Sequence, residues 1–198
     1  MDLTILGISG AYTKQGQVAH LLDETLEACQ QWAEGETTPV NITTEIIHLS
    51  EVMTEFNAPE ENIIPANLRG TVDKLLRADI IIFASPVYWF NVSPLLMQFF
   101  VDITALEYDW DFPLCGKIGA AITHCDEDGG EKVAGDILAP LRHFGLITPP
   151  LGGFWRNRVG ARFSEDHWQV DGHQKLLAQY LVRLAVELKL GRIRSGHA

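Results

Sequence analysis

Three consecutive aromatic residues follow a short apolar segment near the middle of the chain. The segment, Ile80 to Phe83, is rich in β-branched residues, which favours a strand that is buried on both faces. It should end at Ser85-Pro86, because proline cannot donate a hydrogen bond to a neighbouring strand. Open α/β sheets bind their ligands beyond the carboxyl ends of the strands. This position favours the binding of a flat, aromatic ligand by the loop residues Pro86, Val87, Tyr88, Trp89 and Phe90. The less favoured alternative is that the rings only cap the core or form a dimer contact.

A second candidate site is the polar loop from Ser9 to Gln17. It follows the apolar run Leu3 to Ile8, and helical spacing of apolar residues begins at Val18. A strand, a loop and a helix in this order aim backbone N–H groups and the positive end of the helix dipole at one point, which suits an anion such as phosphate. The glycines do not form G-x-G-x-x-G and no P-loop lysine follows, so the pattern alone is typical of an ordinary βα turn.

A third polar loop, His124 to Gly130, follows the predicted strand Lys117 to Thr123. Its acidic residues resemble part of a calcium-binding loop, but Gly130 and Ile137 stand where two of the ligands belong. No metal site is therefore predicted. His124 lies on the same carboxyl edge as the aromatic loop, and we expect it to be a contact residue and not a base.

Arginines cluster in the stretch from Gly152 to Asp171, in a chain with only 15 Lys and Arg residues. The arginines are Arg156, Arg158 and Arg162. A solvated surface loop is the favoured interpretation of this stretch. The alternative is an anion site for a nucleotide phosphate, because guanidinium groups bind phosphate through two hydrogen bonds at once.

Strands and helices alternate along the whole chain, which predicts a parallel sheet with helices on both faces and right-handed crossovers. The remaining predicted strands are Ile42 to Leu49 and Leu146 to Leu151. The predicted helices are Val18 to Trp32, Asn67 to Arg77, Ser93 to Ile103, Val133 to Phe144 and His173 to Leu190. The segment Leu106 to Phe112 reads either as a strand with one aromatic face or as a loop that lines the ligand site or a subunit contact.

The composition restricts the classes of partner. A chain of 198 residues with 46% hydrophobic residues is expected to form one domain, residues 1–198. Its net charge of -11 disfavours nucleic acid and anionic membrane surfaces. There is no secretory signal pattern and no apolar run approaching the roughly 18 residues of a membrane span, so a cytoplasmic location is predicted. The three cysteines, expected to be reduced thiols, lack zinc or iron–sulfur spacing.

The sequence resembles the flavodoxin-like NAD(P)H-dependent FMN reductase and quinone reductase families. The resemblance is carried by LGISG at Leu6 to Gly10, by ADIIIFASPVYWFNVSPLL at Ala78 to Leu96, and by GKIGAAIT at Gly116 to Thr123. Together with the order of elements it covers nearly the whole chain. It implies a three-layer α/β sandwich with a five-stranded parallel sheet of order 2-1-3-4-5.

The resemblance also implies a cofactor and a reaction. FMN would be held at its phosphate by the first loop, through Ser9, Ala11, Thr13, Gln17 and Val18. The isoalloxazine ring would lie on Pro86 to Phe90, and a third ligand loop would include Thr123, His124 and Gly129. NADH or NADPH would give a hydride to the flavin, and a quinone, azo, nitro or similar small acceptor would take the electrons. No protein acid or base is required, and a homodimer is implied.

The chain departs from relatives in its phosphate loop. Relatives often read S-P-R-x-x-G-N-T there, and the matching positions in this sequence are Ala11, Tyr12, Thr13, Gly16, Gln17 and Val18. Two hydroxyls and an arginine are replaced, and Met97 stands where relatives carry a lysine. These changes predict weakened FMN binding. Two alternatives follow, a flavodoxin-like electron carrier and a family member that has lost FMN and serves as a binding module.

Overall fold

The sheet has the predicted topology. The computed structural model describes residues 1–35, 39–53, 63–108, 111–158 and 168–193. In this part of the chain five parallel strands form one sheet in the order β2-β1-β3-β4-β5, so the predicted fold class is confirmed. The strands are β1 Asp2–Ser9, β2 Asn41–His48, β3 Ile80–Pro86, β4 Ile118–Cys125 and β5 Gly153–Asn157.

Helices cover both faces of the sheet. Their bounds are α1 Gln17–Glu34, α2 Leu49–Val52, α3 Arg69–Arg77, α4 Pro94–Asp102, α5 Ala105–Tyr108, α6 Gly130–His143 and α7 Trp168–Lys189, with a 3₁₀ turn at Ala66–Leu68. One apolar cluster joins one face of the sheet to α3, α4 and α6. The other joins the opposite face to α1 and α7. Successive residues of β1, such as Ile5 and Leu6, enter opposite clusters, as the alternation of side chains along a strand requires.

The start of α4 matches its sequence signals. Ser93 is the N-cap, its Oγ accepts a hydrogen bond of 3.2 Å from the backbone N–H of Leu96, and Pro94 occupies the first helical position. Serine caps and first-turn prolines satisfy or remove backbone donors that the helix itself leaves unpaired. The strand before this loop ends at Pro86, as predicted.

The predicted fifth strand was wrong. Leu146 to Leu151 contains Pro149 and Pro150, which have no N–H for a ladder, and only Ile147 in it forms an isolated bridge, to Ile118. The strand that pairs with β4 is Gly153–Asn157. Arg156 therefore lies within the sheet and not in a surface excursion.

The segment after α4 is not a strand. Ala105–Tyr108 forms one helical turn, and Asp111 and Phe112 have φ of 55° and 53°. Residues 109–110 lie outside the described part of the chain. The alternative of a strand with one aromatic face is thus wrong.

Candidate functional site

Three loops meet at the carboxyl edge of the sheet, one after each of the strands β1, β3 and β4. The rings of Tyr12 and Tyr88 join the first two loops, with centroids 6.3 Å apart and planes tilted by 31°. The second and third loops are also in contact, because a Cβ built at Gly129 would lie 2.8 Å from Cδ1 of Phe90. The backbone N–H of Val87 donates to the carbonyl of His124 at 3.0 Å. The tertiary structure thus brings the three predicted ligand loops together.

The loop between β1 and α1 offers backbone donors. The N–H groups of Gln17, Val18 and Ala19 begin α1, and they have no hydrogen-bond acceptor among the described residues. The helix has no side-chain cap and no acidic residue in its first turn. Unpaired N–H groups at the positive end of a helix dipole attract an anion. This geometry favours an anion held by backbone N–H groups, as the sequence predicts for this loop.

The side chains of the same loop contribute less. Ala11 and Val18 are buried in the apolar cluster beneath the loop, and their side chains carry no polar atom, so the native residues offer a ligand their backbone alone. Ser9 is fully buried, and its Oγ accepts a 3.4 Å hydrogen bond from the backbone N–H of Ala11. Thr13 and Gln17 are exposed. Of the five residues predicted in this loop, these two have side chains that are free to reach an anion from solvent.

The aromatic loop presents its rings to solvent. Trp89 is 92% exposed, and Phe90 and Tyr88 are about half exposed. Trp89 and Phe90 have φ of 50° and 60°, a left-handed conformation that costs bulky residues roughly 1 to 3 kcal/mol each. Tyr88 and Asn91 exchange backbone hydrogen bonds of 3.1 and 3.0 Å, and Asn91 Nδ2 donates to the Trp89 carbonyl at 2.7 Å. These bonds hold the strained turn in place.

A serine that sequence reasoning did not assign closes the base of the aromatic loop. Ser85 is fully buried, its Oγ accepts from the backbone N–H of Ser93 at 2.9 Å, and it donates to the carbonyl of Pro86 at 2.8 Å. The same Ser93 caps α4. Ser85 thus links the end of β3 to the start of α4, and nothing in the local pattern distinguishes it from an ordinary strand-end serine.

Thr123 and His124, which were predicted in the third loop, lie within β4 and are buried. The hydroxyl of Thr123 is buried and donates to the carbonyl of Gly130 at 2.9 Å. His124 is buried, and its pKa is lowered by desolvation and by the charges of Arg156 and Arg158, against the opposing effect of Asp126. The imidazole is consequently neutral at neutral pH. Gly129, with φ of 88°, is the residue of the three that lies against the aromatic loop.

The thiol next to His124 is not activated. Cys125 is buried, and desolvation is the largest of the causes that raise its pKa. A thiol with a raised pKa stays protonated and is a poor nucleophile.

Arg156 and Arg158, two of the three clustered arginines, differ in their partners and in their exposure to solvent. Arg156, on β5, is 19% exposed at its side chain; its Nη1 lies 2.7 Å from Glu24 Oε2 and its Nη2 donates to Gln174 Oε1 at 3.3 Å. Gln174 Nε2 in turn donates to Thr25 Oγ1 at 2.9 Å. Arg156 thus ties β5 to α1 and α7. Arg158 is more than half exposed and pairs with Asp126, whereas Arg162 lies outside the described residues.

Other kinds of site find no support in the described ranges. No group of three or more His, Cys, Asp and Glu side chains there is placed to hold a metal ion. Within the same ranges, none of the helices combines the length and the apolar character that crossing a membrane demands.

Solved structures of low sequence identity share this fold. RosB with a bound 8-demethyl-8-formylriboflavin-5'-phosphate superposes with a TM-score of 0.77 at 16% identity, over 96% of this chain and 82% of that one. An oxidoreductase from Corynebacterium diphtheriae gives a TM-score of 0.74 at 17% identity, over 93% and 97% of the two chains. At such identities the likeness establishes the fold alone.

Sequence comparison identifies the family. An FMN-dependent NADH:quinone oxidoreductase of Burkholderia thailandensis is 33% identical over 107 residues, which are 49% of this chain and 54% of that protein. A namesake from Burkholderia pseudomallei is 36% identical over the same shares. The match thus spans about half the length of these relatives. The family model for NADPH-dependent FMN reductase matches residues 3–159, which include all three predicted ligand loops. The chain belongs to the NADPH-dependent FMN reductase family.

Proposed function

We propose that the protein is an FMN-dependent NAD(P)H oxidoreductase that passes a hydride through the flavin to a quinone, azo, nitro or similar small acceptor. The observation that carries the proposal is the meeting of three loops at one sheet edge. A helix start with unpaired N–H groups faces this edge beside an exposed aromatic triplet. The names of the curated relatives supply the quinone as an acceptor class.

The residues present fit FMN. The N–H groups of Gln17, Val18 and Ala19, with the Thr13 hydroxyl beside them, would hold the phosphate. The backbone and rings of Pro86 to Phe90 would hold a planar ring system, since aromatic faces and edges pack well on flat ligands. When bound, FMN supplies the hydride chemistry.

The protein's own contribution is to bind and orient. The strained turn at Trp89 and Phe90 fixes a surface for the ring before the ligand arrives, and pre-formed surfaces cost less to bind. The neutral His124 and the protonated Cys125 add no charge behind this surface. We assign no proton transfer to any residue of the chain.

A spectroscopic experiment tests the proposed function. The purified protein, mixed with FMN and separated from excess ligand, should retain a flavin spectrum that NADH or NADPH bleaches without oxygen, and a quinone should restore it. Retained flavin that neither nucleotide bleaches would favour the electron carrier. A protein that neither retains flavin nor binds it weakly would favour the binding module, which is the other alternative to an enzyme.

The altered phosphate loop leads to a prediction about affinity. Restoring two hydroxyls with Ala11→Ser and Val18→Thr should tighten FMN binding about tenfold or more, because a hydrogen bond to a charged group contributes roughly 1.5 to 3 kcal/mol. Riboflavin lacks the phosphate and serves as the control ligand, so its affinity should hardly change. Fluorescence titration measures both. Equal tightening of both ligands, or of neither, would place the phosphate elsewhere.

Trp89 gives a second prediction. Replacement by Ala should weaken FMN binding by about 1 to 3 kcal/mol if the indole packs on the ring. The side chain is 92% exposed, so the free energy of unfolding should stay within about 0.5 kcal/mol of the parent. Titration with FMN and urea unfolding separate the two effects. An unchanged dissociation constant would remove Trp89 from the site.

We also propose a homodimer in the cytoplasm. The outer face of α4 exposes Met97 and Val101, one helical turn apart and next to the exposed aromatic loop in sequence. A second copy that covers this apolar surface would remove it from water. Sedimentation should give twice the mass of the chain at micromolar concentration, and a monomer would contradict the proposal.

The proposed cytoplasmic location is supported by the cysteines. A reducing cytoplasm suits the free thiols of Cys29 and Cys125.

A further inference from the structure

Arg158 lies at the rim of the candidate site. It follows β5, and its backbone N–H donates to the carbonyl of Cys125 at 3.0 Å, which holds it beside the end of β4. Its guanidinium group pairs with Asp126, with Nε 3.1 Å from Oδ1. Both side chains are largely exposed, at 54% and 69%. Unlike Arg156, whose guanidinium group is bonded to both α1 and α7, Arg158 is free to change partners.

The sheet places the backbone of Arg158 at the same carboxyl edge as the aromatic loop. Pro86 pairs with His124, and His124 pairs with Arg156, so the three residues form one row across β3, β4 and β5. Neighbouring strands lie about 4.8 Å apart, which puts the backbone of Arg156 roughly 10 Å from Pro86. Arg158 comes two residues further, beyond the carboxyl edge. A dinucleotide lying over the aromatic loop extends far enough to reach it.

The ion pair with Asp126 is easy to exchange. Exposed ion pairs contribute little to stability, because water screens them and both side chains must be ordered. A phosphate carries more charge than a carboxylate and accepts two guanidinium hydrogen bonds. In a chain with a net charge of -11, an anionic ligand also needs a local positive group to offset the overall repulsion.

We propose that Arg158 binds a phosphate group of the pyridine dinucleotide and that Asp126 is the counter-ion which this phosphate displaces. The inference rests on the proposed function, because it assigns a subsite to the co-substrate of that reaction. Arg158 is then a residue that determines co-substrate affinity. If the phosphate is the 2'-phosphate, it also determines the preference for NADPH over NADH.

The test uses two probe ligands and two variants that are expected to change the affinity in opposite directions. Adenosine 2',5'-bisphosphate represents the 2'-phosphate end of NADPH, and ADP represents the diphosphate that both nucleotides share. Binding of each is measured by calorimetry on the full chain, with and without FMN. Arg158→Gln should weaken binding about tenfold, the loss expected when one charged hydrogen bond is removed. Asp126→Asn should tighten binding severalfold, because the competing carboxylate is gone.

Arg192→Gln is the matched control. Arg192 forms an exposed ion pair with Glu187, with Nη1 3.0 Å from Oε1. It follows α7, whose last-turn Lys189 contacts Asp2 at the start of β1, and so belongs to the opposite edge of the sheet. The variant changes the net charge by the same amount as Arg158→Gln, so it measures the effect of overall charge alone.

The outcomes are distinct. A loss confined to the bisphosphate identifies the 2'-phosphate, and an equal loss for both probes identifies the diphosphate; either result supports the inference. If Arg158→Gln weakens neither probe more than Arg192→Gln does, or if Asp126→Asn does not tighten binding, the inference is overturned. FMN affinity is measured separately, so failure to bind flavin counts against the proposed function and not against this subsite.

Discussion

A single methyl group added at position 10 is expected to lower the free energy of unfolding by about 3 kcal/mol. A Cβ at Gly10 would lie 2.7 Å from the Cβ of Leu96 and 2.7 Å from the Oγ of Ser93, with the carbonyl of Ala84 at 3.3 Å. Overpacking of this kind costs roughly 1 to 3 kcal/mol. Displacing Ser93 also disturbs the N-cap of α4, which contributes about 1 kcal/mol.

The experiment compares Gly10→Ala with Gly135→Ala in urea unfolding. Gly135 lies inside α6, and a Cβ there would meet nothing within 4 Å. Alanine in a helix interior is preferred over glycine by roughly 0.5 to 1 kcal/mol, so this control should be more stable than the parent. If Gly10→Ala unfolds at the parent's urea concentration, the close approach of the first loop to α4 is not a feature of the protein in solution.

Gly129→Ala is expected to weaken FMN binding about tenfold. Gly129 has φ of 88°, and its added Cβ would lie 2.8 Å from Cδ1 and 3.4 Å from Cα of Phe90. A residue other than glycine pays roughly 1 kcal/mol for this backbone conformation. The contact would also push the aromatic loop away from the third loop. A loss of about 1.4 kcal/mol in positioning the ring corresponds to the tenfold change.

Gly191→Ala is the control that separates the effect of backbone strain from the effect of the steric contact with Phe90. Gly191 has φ of 67°, but a Cβ there would meet nothing within 4 Å. The control therefore carries the backbone strain without the steric contact. Both variants should lose stability by about 1 kcal/mol, whereas only Gly129→Ala should lose FMN affinity in a fluorescence titration. An unchanged FMN affinity in Gly129→Ala would mean that the packing between the two loops does not shape the site.

Both predictions depend on the packing of a loop against a neighbouring element. The phosphate loop is packed on α4 through Gly10, and the aromatic loop is packed on the third loop through Gly129. In the site that we propose, backbone donors and the shape of the aromatic turn would carry most of the recognition. A change in the spacing of the loops should therefore affect the ligand more than most single polar substitutions.

Local patterns were sufficient for most of the fold. The apolar run at Ile80 to Phe83 and the proline that ends it predicted β3, and Ser93 with Pro94 predicted the start of α4. Both features depend on residues that are close in sequence. The prediction failed at the fifth strand, where an apolar run with two prolines competed with a more polar segment. Tertiary pairing with β4 selected Gly153–Asn157, because only a segment with N–H groups in register completes the ladder.

The sequence by itself determined the alternation of strands and helices, the parallel sheet and the three loops at its carboxyl edge. Hydrophobic periodicity is a local property, so it can be read without knowing which elements touch. The tertiary structure decided the partners of the polar groups. It paired Arg156 with Glu24 and left Arg158 at the rim, and it turned the Thr123 hydroxyl inward. Those partners come from distant parts of the chain, and a polar side chain binds whichever partner the packing of the whole fold brings within reach.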